Sequence, residues 1–277
     1  MTFEPEQLGQ SRTDLAEKLR ELRKRAGLTG DRLARRCNMS QSQISKFETG
    51  KKTPKLVDVE RILRAVDAPP EMVAEITALA RVANTEWQDK RSSWRRGMEK
   101  RQAELAALES DATELRYFLP SMVTGLLATP EYIRASLSHT PGDSSRTVAR
   151  KLERQAVLYN TAKRFTFLIT EQAARWAVVP APAMSVQIDR LASLSHLPNV
   201  RIGVVPLGTP TGRGPMNTFT VYDNRLATVE NFTGRMVFRD ARDISEYLAV
   251  FTQFEQHARF GDDARSLLRH WADDCRN

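Results

Sequence analysis

Residues 27–52, GLTGDRLARRCNMSQSQISKFETGKK, constrain the fold of this chain more than any other stretch. They spell two short helices joined by a tight turn, with Thr29 placed to cap the first and Ser40 to cap the second. Leu33, Ala34, Met39, Ile44 and Phe47 supply the apolar residues that lock one helix onto the other. Gln41, Ser42, Gln43, Ser45 and Lys46 lie on faces with no reason to be buried. A helix that is apolar behind and hydrogen-bonding in front suits the reading of a groove in DNA.

Charge places the same emphasis on this region. The chain carries a net +8, and residues 14–66 hold 14 Lys and Arg against 7 Asp and Glu. A surplus of seven in that segment leaves one for all the rest, so the positive field is concentrated where phosphate would be met. Around the pair, apolar spacing predicts a first helix from Thr13 with Leu15, Leu19 and Leu22 inward, ending at Gly27, a residue suited to the left-handed position. A fourth helix opens at Pro54 with Leu56, Val59, Ile62, Leu63 and Val66 inward, and a fifth runs from Pro69-Pro70 to about Ala83. Residues 1–12 read as a loose leader. The expectation is an all-α N-terminal domain of five helices over residues 1–83.

Residues 84–107 are polar and charged and read as a connector. Trp87 and Trp94 stand seven apart, Met98 and Leu105 continue the stripe, and Arg91, Arg95 and Arg96 flank it. Two Trp at that spacing favour packing against a neighbouring domain or subunit over stacking on bases. Gly97 argues against a straight coiled coil.

From residue 108 strands and helices alternate. Strands are expected at 113–118, 164–170 and 200–207, and helices at 130–138, 144–160, from Glu171, and at 183–197. A Gly- and Pro-rich loop spans 208–215, followed by three short strands with turns at Asp223-Asn224 and Thr233-Gly234, an antiparallel meander. Helices at 241–259 and 262–275 close the chain. Residues 108–277 are expected to form an α+β domain with a mainly antiparallel sheet, serving to sense a ligand or partner or to dimerise.

No run approaches the roughly 18–20 apolar residues of a membrane helix, and MTFEPEQLGQ lacks the order of a signal peptide, so a cytoplasmic protein is expected. Cys37 and Cys275 have no CxxC spacing, which excludes a disulfide framework or zinc site. His139, His196, His257 and His270 sit in neither an HExxH nor a GxSxG setting, and the 208–215 loop lacks the Lys-Ser/Thr ending of a phosphate-binding loop. Arg213, between Gly212 and Gly214, is a candidate anion contact. Glu171, Glu230 and Asp240 stand at strand ends without forming a demonstrable acid/base pair. No catalytic residue, metal or cofactor is expected, and the chain is not read as an enzyme.

The run LAEKLRELRKRAGLT…LARRCNMSQSQISKFETGKKTPKLVDVERILRAV resembles the Cro and CI repressor-like helix-turn-helix family, also called the XRE family. The resemblance implies a homodimer that sets the third helix of each subunit into successive major grooves of an operator. It puts Gln41, Ser42, Gln43 and Ser45 on base edges and Lys46 on a base or phosphate. Thr49, Lys51 and Lys52, with Thr29 at the start of helix two, fall where the family touches the backbone. Gly30 is a departure, since many members carry Gln there, so that a phosphate contact is either lost or shifted to Arg32.

The second half resembles the uncharacterised domain that follows the helix-turn-helix in many actinobacterial regulators, described as antitoxin-like and including WhiJ-type proteins. LPSMVTGLLATPEYIRASL, ERQAVLY, FTFLITE, LSHLPNVRIGVVPLG, NTFTVYD, VENFTGRMVFRD and FEQHARFGDDARSLL carry it, across most of residues 108–270. Thr124 and Ala128 stand where many members have Pro and Gln. This likeness implies a small protein partner encoded nearby. Its alternative function is an antitoxin that sequesters that partner, with DNA binding serving autoregulation.

Overall fold

The computed structural model describes residues 5–89, 98–140 and 142–276, without the side chains of 5–11, 86, 87, 89 and 98–101. The expectations for Arg91, Trp94, Arg95, Arg96 and Gly97, and for the side chains of Trp87 and Met98, lie outside the described residues. Two compact units emerge: residues 1–87 with 236–240, and residues 88–235 with 241–277.

The first unit is built on α1 (Pro5–Arg25), α2 (Gly30–Cys37), α3 (Gln41–Glu48), α4 (Leu56–Ala65) and α5 (Pro70–Asn84). The first helix begins well before Thr13, correcting the expected loose leader. Pro5 suits a first turn, and Glu, Gln and Leu after it outweigh the single Gly9. Each helix contributes apolar residues three or four apart to one core: Leu15, Leu19 and Leu22; Leu33, Ala34 and Cys37; Ile44 and Phe47; Leu56, Val59, Ile62 and Leu63; Ile76, Ala80 and Ala83. Gly27, at φ 64°, turns the chain out of α1 in the left-handed conformation its sequence position implied. Cys37 is buried, and its thiol lies 3.7 Å from the Arg61 carbonyl oxygen, so it is a packing residue. After α5 comes a strand the sequence pattern did not announce, β1 (Thr85–Asp89).

In the second unit α6 (Met98–Asp111) precedes β2 (Glu114–Leu119). The chain continues through α7 (Pro130–Ser136), α8 (Ser145–Arg154), the 3-10 turn Gln155–Tyr159, β3 (Arg164–Thr170), α9 (Glu171–Arg175), α10 (Ala181–Leu194) and β4 (Val200–Val205). It ends with β5 (Thr218–Tyr222), β6 (Leu226–Glu230), α11 (Ala241–Glu255) and α12 (Gly261–Asp274), while β7 (Gly234–Phe238), between β6 and α11, has its last three residues in the first unit. Within this unit the strands lie in the order β6-β5-β2-β3-β4. The sheet is mixed. β2, β3 and β4 run parallel, with Glu114 opposite Arg164 and Thr170 opposite Val205, because intervening helices carry the chain back before each new strand. β5 and β6, the first two strands of the expected meander, pair antiparallel, with Thr218 opposite Glu230, and β5 is also antiparallel to β2, with Phe118 opposite Phe219. RFTFLIT shows no alternation because six of its seven residues are buried, as in a parallel strand covered on both faces. Gly203 is required in β4, since a Cβ there would stand 2.5 Å from ring atoms of Phe260 and 2.9 Å from Leu168.

Buried polar side chains tie this unit together. Glu109 of α6 accepts from Arg154 Nε at 3.0 Å and from the Tyr117 hydroxyl at 3.2 Å, and Arg154 also donates to Gln102. Lys163 Nζ donates to the carbonyls of Ser110 and Ala112, both at 2.5 Å, at the end of α6. Gln187, fully buried, accepts from Thr129 N at 2.7 Å and donates to Leu127 O at 3.1 Å, and Gln155 Nε2 donates to Gly125 O and Ala128 O, both at 2.8 Å. The loop after β2 is thereby held through its own backbone.

Candidate nucleic-acid interface

Thr29 Oγ1 accepts from Arg32 N at 3.3 Å and opens α2. Asn38, in the left-handed conformation at φ 54° and ψ 49°, ends that helix, and Met39 N donates to Ala34 O at 2.9 Å to complete the turn. Ser40 then opens α3 with a reciprocal cap: its Oγ accepts from Gln43 N at 3.2 Å, and its own N–H donates to Gln43 Oε1 at 3.1 Å. Of the eight residues of α3 only Ile44 and Phe47 are buried, three apart, which turns the rest of the helix outward.

The helix is held at its far end as well. Arg23, near the end of α1, donates from Nε to Glu48 Oε1 at 2.7 Å and from a terminal nitrogen to Glu48 Oε2 at 2.9 Å. Its other terminal nitrogen donates to Leu28 O at 2.9 Å, just ahead of α2. One guanidinium thus clamps α1, the entry to α2 and the end of α3, and the Glu48 hydrogen bond holds Arg23 above its ordinary pKa. Arg36 donates to Ala65 O at 3.0 Å, fastening the end of α2 to α4. These contacts were not foreseen, and for Arg23 and Glu48, 25 residues apart, no local pattern announces the pair.

All ten expected contact residues, Thr29, Arg32, Gln41, Ser42, Gln43, Ser45, Lys46, Thr49, Lys51 and Lys52, are exposed. Gly50, at φ 68°, bends the chain after α3 so that Lys52 N donates to Lys46 O at 3.1 Å, and Lys52 Nζ stands 5.9 Å from the centre of the Phe47 ring. Lys46, Lys51 and Lys52 therefore flank one end of α3, an arrangement fit for phosphate. Thr49 is partly committed, its hydroxyl donating to Ser45 O at 2.7 Å.

The two glutamines are not equivalent. Gln43 spends its carbonyl oxygen on the cap of its own helix, and a bidentate contact to adenine needs that oxygen as acceptor together with the amide nitrogen as donor. Its role in the free protein is to fix α3. Gln41 has no such commitment and extends over the start of α2, where its Nε2 lies 3.7 Å and its Cγ 3.9 Å from the position a Cβ on Gly30 would take. The absence of a side chain at Gly30 leaves Gln41 room there. The residues that remain outward and uncommitted on α3 are Gln41, Ser42, Ser45 and Lys46.

In the second unit the expected functional positions do not converge. Glu171 is used structurally, accepting from Leu207 N at 2.9 Å and from Arg175 at 3.1 Å. His139, His196 and His270 are exposed and His257 half-buried, and no group of His, Cys, Asp and Glu among the described residues is arranged to hold a metal ion.

Residues 102–270 match the family model described as a domain of unknown function, DUF5753, more than half of the chain. The chain belongs to the DUF5753 family. Residues 14–76 match a helix-turn-helix domain, which covers the capped helix pair described above. The DUF5753 domain therefore follows a helix-turn-helix in this chain, and together they mark a helix-turn-helix regulator. No curated protein matches it. Similar solved structures include NucT from Helicobacter pylori, at 10% identity and TM-score 0.38 over 63% of this chain and 96% of that one. Nuc from Salmonella typhimurium, a phospholipase D family member, is similar at 10% identity and TM-score 0.37, over 64% and 97%. TrmBL2, an archaeal chromatin protein, is similar at 9% identity and TM-score 0.32, over 73% and 64%. Likeness at these scores carries no statement about this chain. Among the described residues no helix is long and apolar enough to cross a membrane.

Proposed function

We propose that the protein is a sequence-specific, DNA-binding transcriptional regulator of Cro/CI type that acts as a homodimer in the cytoplasm, with α3 as its reading helix. The observation that carries this reading is the outward face of α3. Gln41, Ser42, Ser45 and Lys46 are exposed beside Lys51 and Lys52, on a helix fixed by the Ser40 cap, by Ile44 and Phe47 underneath, and by the Arg23–Glu48 pair. Lysines release counterions and set the register, and uncommitted polar side chains read bases. The DUF5753 domain supplies the regulatory input by binding, and we assign it no catalysis. The reading predicts that affinity for a fragment of the protein's own promoter falls steeply and log-linearly with salt. Lys52→Ala should weaken binding to all duplexes alike and flatten that slope by about one. Fluorescence anisotropy at four or more salt concentrations measures both, and an affinity independent of salt contradicts the proposal.

A further inference from the structure

The parallel strands β2, β3 and β4 all end on one side of the sheet, and there they release Pro120–Gly125, α9 and the loop 206–217. β5 is antiparallel to β2 and enters from that side, and β6, antiparallel to β5, leaves toward it through the turn 231–233. Loops distant in sequence thus gather at one end of the second unit. They hold four of the eight large apolar residues exposed among the described residues: Met122 at 40%, Leu207 at 66%, Met216 at 86% and Phe232 at 96% exposure. Scattered single apolar residues need no explanation, whereas a cluster on one end does.

These loops are held by hydrogen bonds. Asn231 Oδ1 accepts from Thr233 N at 3.0 Å and Gly234 N at 2.8 Å, which fixes the turn that carries Phe232. Leu207 N donates to Glu171 Oε2 at 2.9 Å, Gln253 Nε2 donates to Thr211 O at 3.0 Å, and Thr170 Oγ1 donates to Pro120 O at 2.7 Å. Phe232 and Met216 contribute almost no burial to the fold of this chain. Charge is scarce in the same loops: in a chain with 27% charged residues, positions 120–127, 206–217 and 231–233 contain Arg213 alone.

We propose that this end of the DUF5753 domain docks an amphipathic segment of a partner protein, apolar along one side and carrying a carboxylate that meets Arg213. Arg175 of α9, at the same end, is already paired with Glu171 and Asp274, both at 3.1 Å, and Arg213 alone is too little for nucleic acid or for an anionic lipid surface, both of which draw on several Lys or Arg. A two-fold contact of this end with itself would bring Arg213 to loops that hold no unused carboxylate. Methionine and an aromatic ring at ordered tips suit a peptide surface that repacks on its partner. The inference concerns the second unit and stands apart from the DNA reading.

A random 16-residue peptide display library selected against the full-length protein tests it. Enriched peptides should combine large apolar residues with Asp or Glu. By fluorescence anisotropy Phe232→Ser and Met216→Ser should each weaken those peptides at least tenfold, while Arg213→Glu should shift preference toward Lys-bearing variants. The substituted positions are exposed, so the thermal midpoint and promoter affinity should stay unchanged and report an intact fold. Absence of enriched peptides, or peptides that bind Phe232→Ser as well as the parent, overturns the proposal. So does Phe232-dependent binding to phosphatidylcholine/phosphatidylglycerol vesicles or Phe232-dependent self-association, which would assign the surface to a membrane or to a second copy.

Discussion

The two units distribute polarity in opposite ways. In the helical unit the core is apolar and the hydrogen-bonding residues of α3 face out, as a surface that meets bases and phosphates must. In the sheet unit Glu109, Arg154, Lys163, Gln155 and Gln187 are turned inward to hold the scaffold, while Met216 and Phe232 stand in solvent at one sheet end. A polar residue type alone therefore says little about function here. A Gln on α3 is available to a ligand, and a Gln on α10 is structural, because burial decides which partner it has.

That contrast can be broken most forcefully at the buried pair. Glu109→Ala leaves the Arg154 guanidinium, only 10% exposed, without its carboxylate, and should destabilise the sheet unit by about 3–5 kcal/mol. Urea unfolding followed in the near ultraviolet measures the shift, and an unchanged midpoint would mean that Gln102 and water suffice. The promoter-binding surface of the helical unit should be untouched at low urea.

Alkali sharpens the comparison further, since all five tyrosines follow residue 116. Burial holds the hydroxyls of Tyr117, Tyr132, Tyr222 and Tyr247 above the ordinary phenol range, with Glu109 pushing Tyr117 and Tyr222 the same way. A folded pKa above the unfolded one gives stability that is complete below pH ~10 and is lost as the pH rises toward the folded values. Each tyrosine that stays protonated should cost about 1.4 kcal/mol per pH unit above 10. Tyrosinate absorbance from these four should then appear together with unfolding of the sheet unit, and ionisation of all four near pH 10 in the folded protein would contradict it.

The smallest effect concerns the reading helix. Ser40→Ala removes the acceptor for Gln43 N and should cost about 1 kcal/mol of stability in the helical unit. It also loosens Gln43, so thermal unfolding should be compared with Ser40→Asp, which restores an N-cap acceptor.

The helix pair was legible because its determinants are local: the Thr29 and Ser40 caps each act over three residues. The cap role of Gln43 was also within reach, since Ser followed three residues later by Gln is the signature of a reciprocal cap. Tertiary determinants were not. The Arg23–Glu48 clamp spans 25 residues, and the lengthened α1 and strand β1 left no decisive periodicity. In the sheet unit the meander was marked by its turns, but the parallel pairing of β2, β3 and β4 depends on how helices return the chain. The exposed sheet end was invisible for the same reason: Met122 and Phe232 are brought to one end of the sheet only through topology.

The central claim is that α3 reads bases through side chains left uncommitted by the fold. Gln41→Ala, compared on the promoter fragment and on a shuffled duplex of equal length at one salt concentration, tests it most directly. The expected result is a loss of roughly 1–3 kcal/mol on the promoter fragment alone, with binding to the shuffled duplex unchanged. An equal loss on both duplexes would make Gln41 a backbone contact and contradict the assignment.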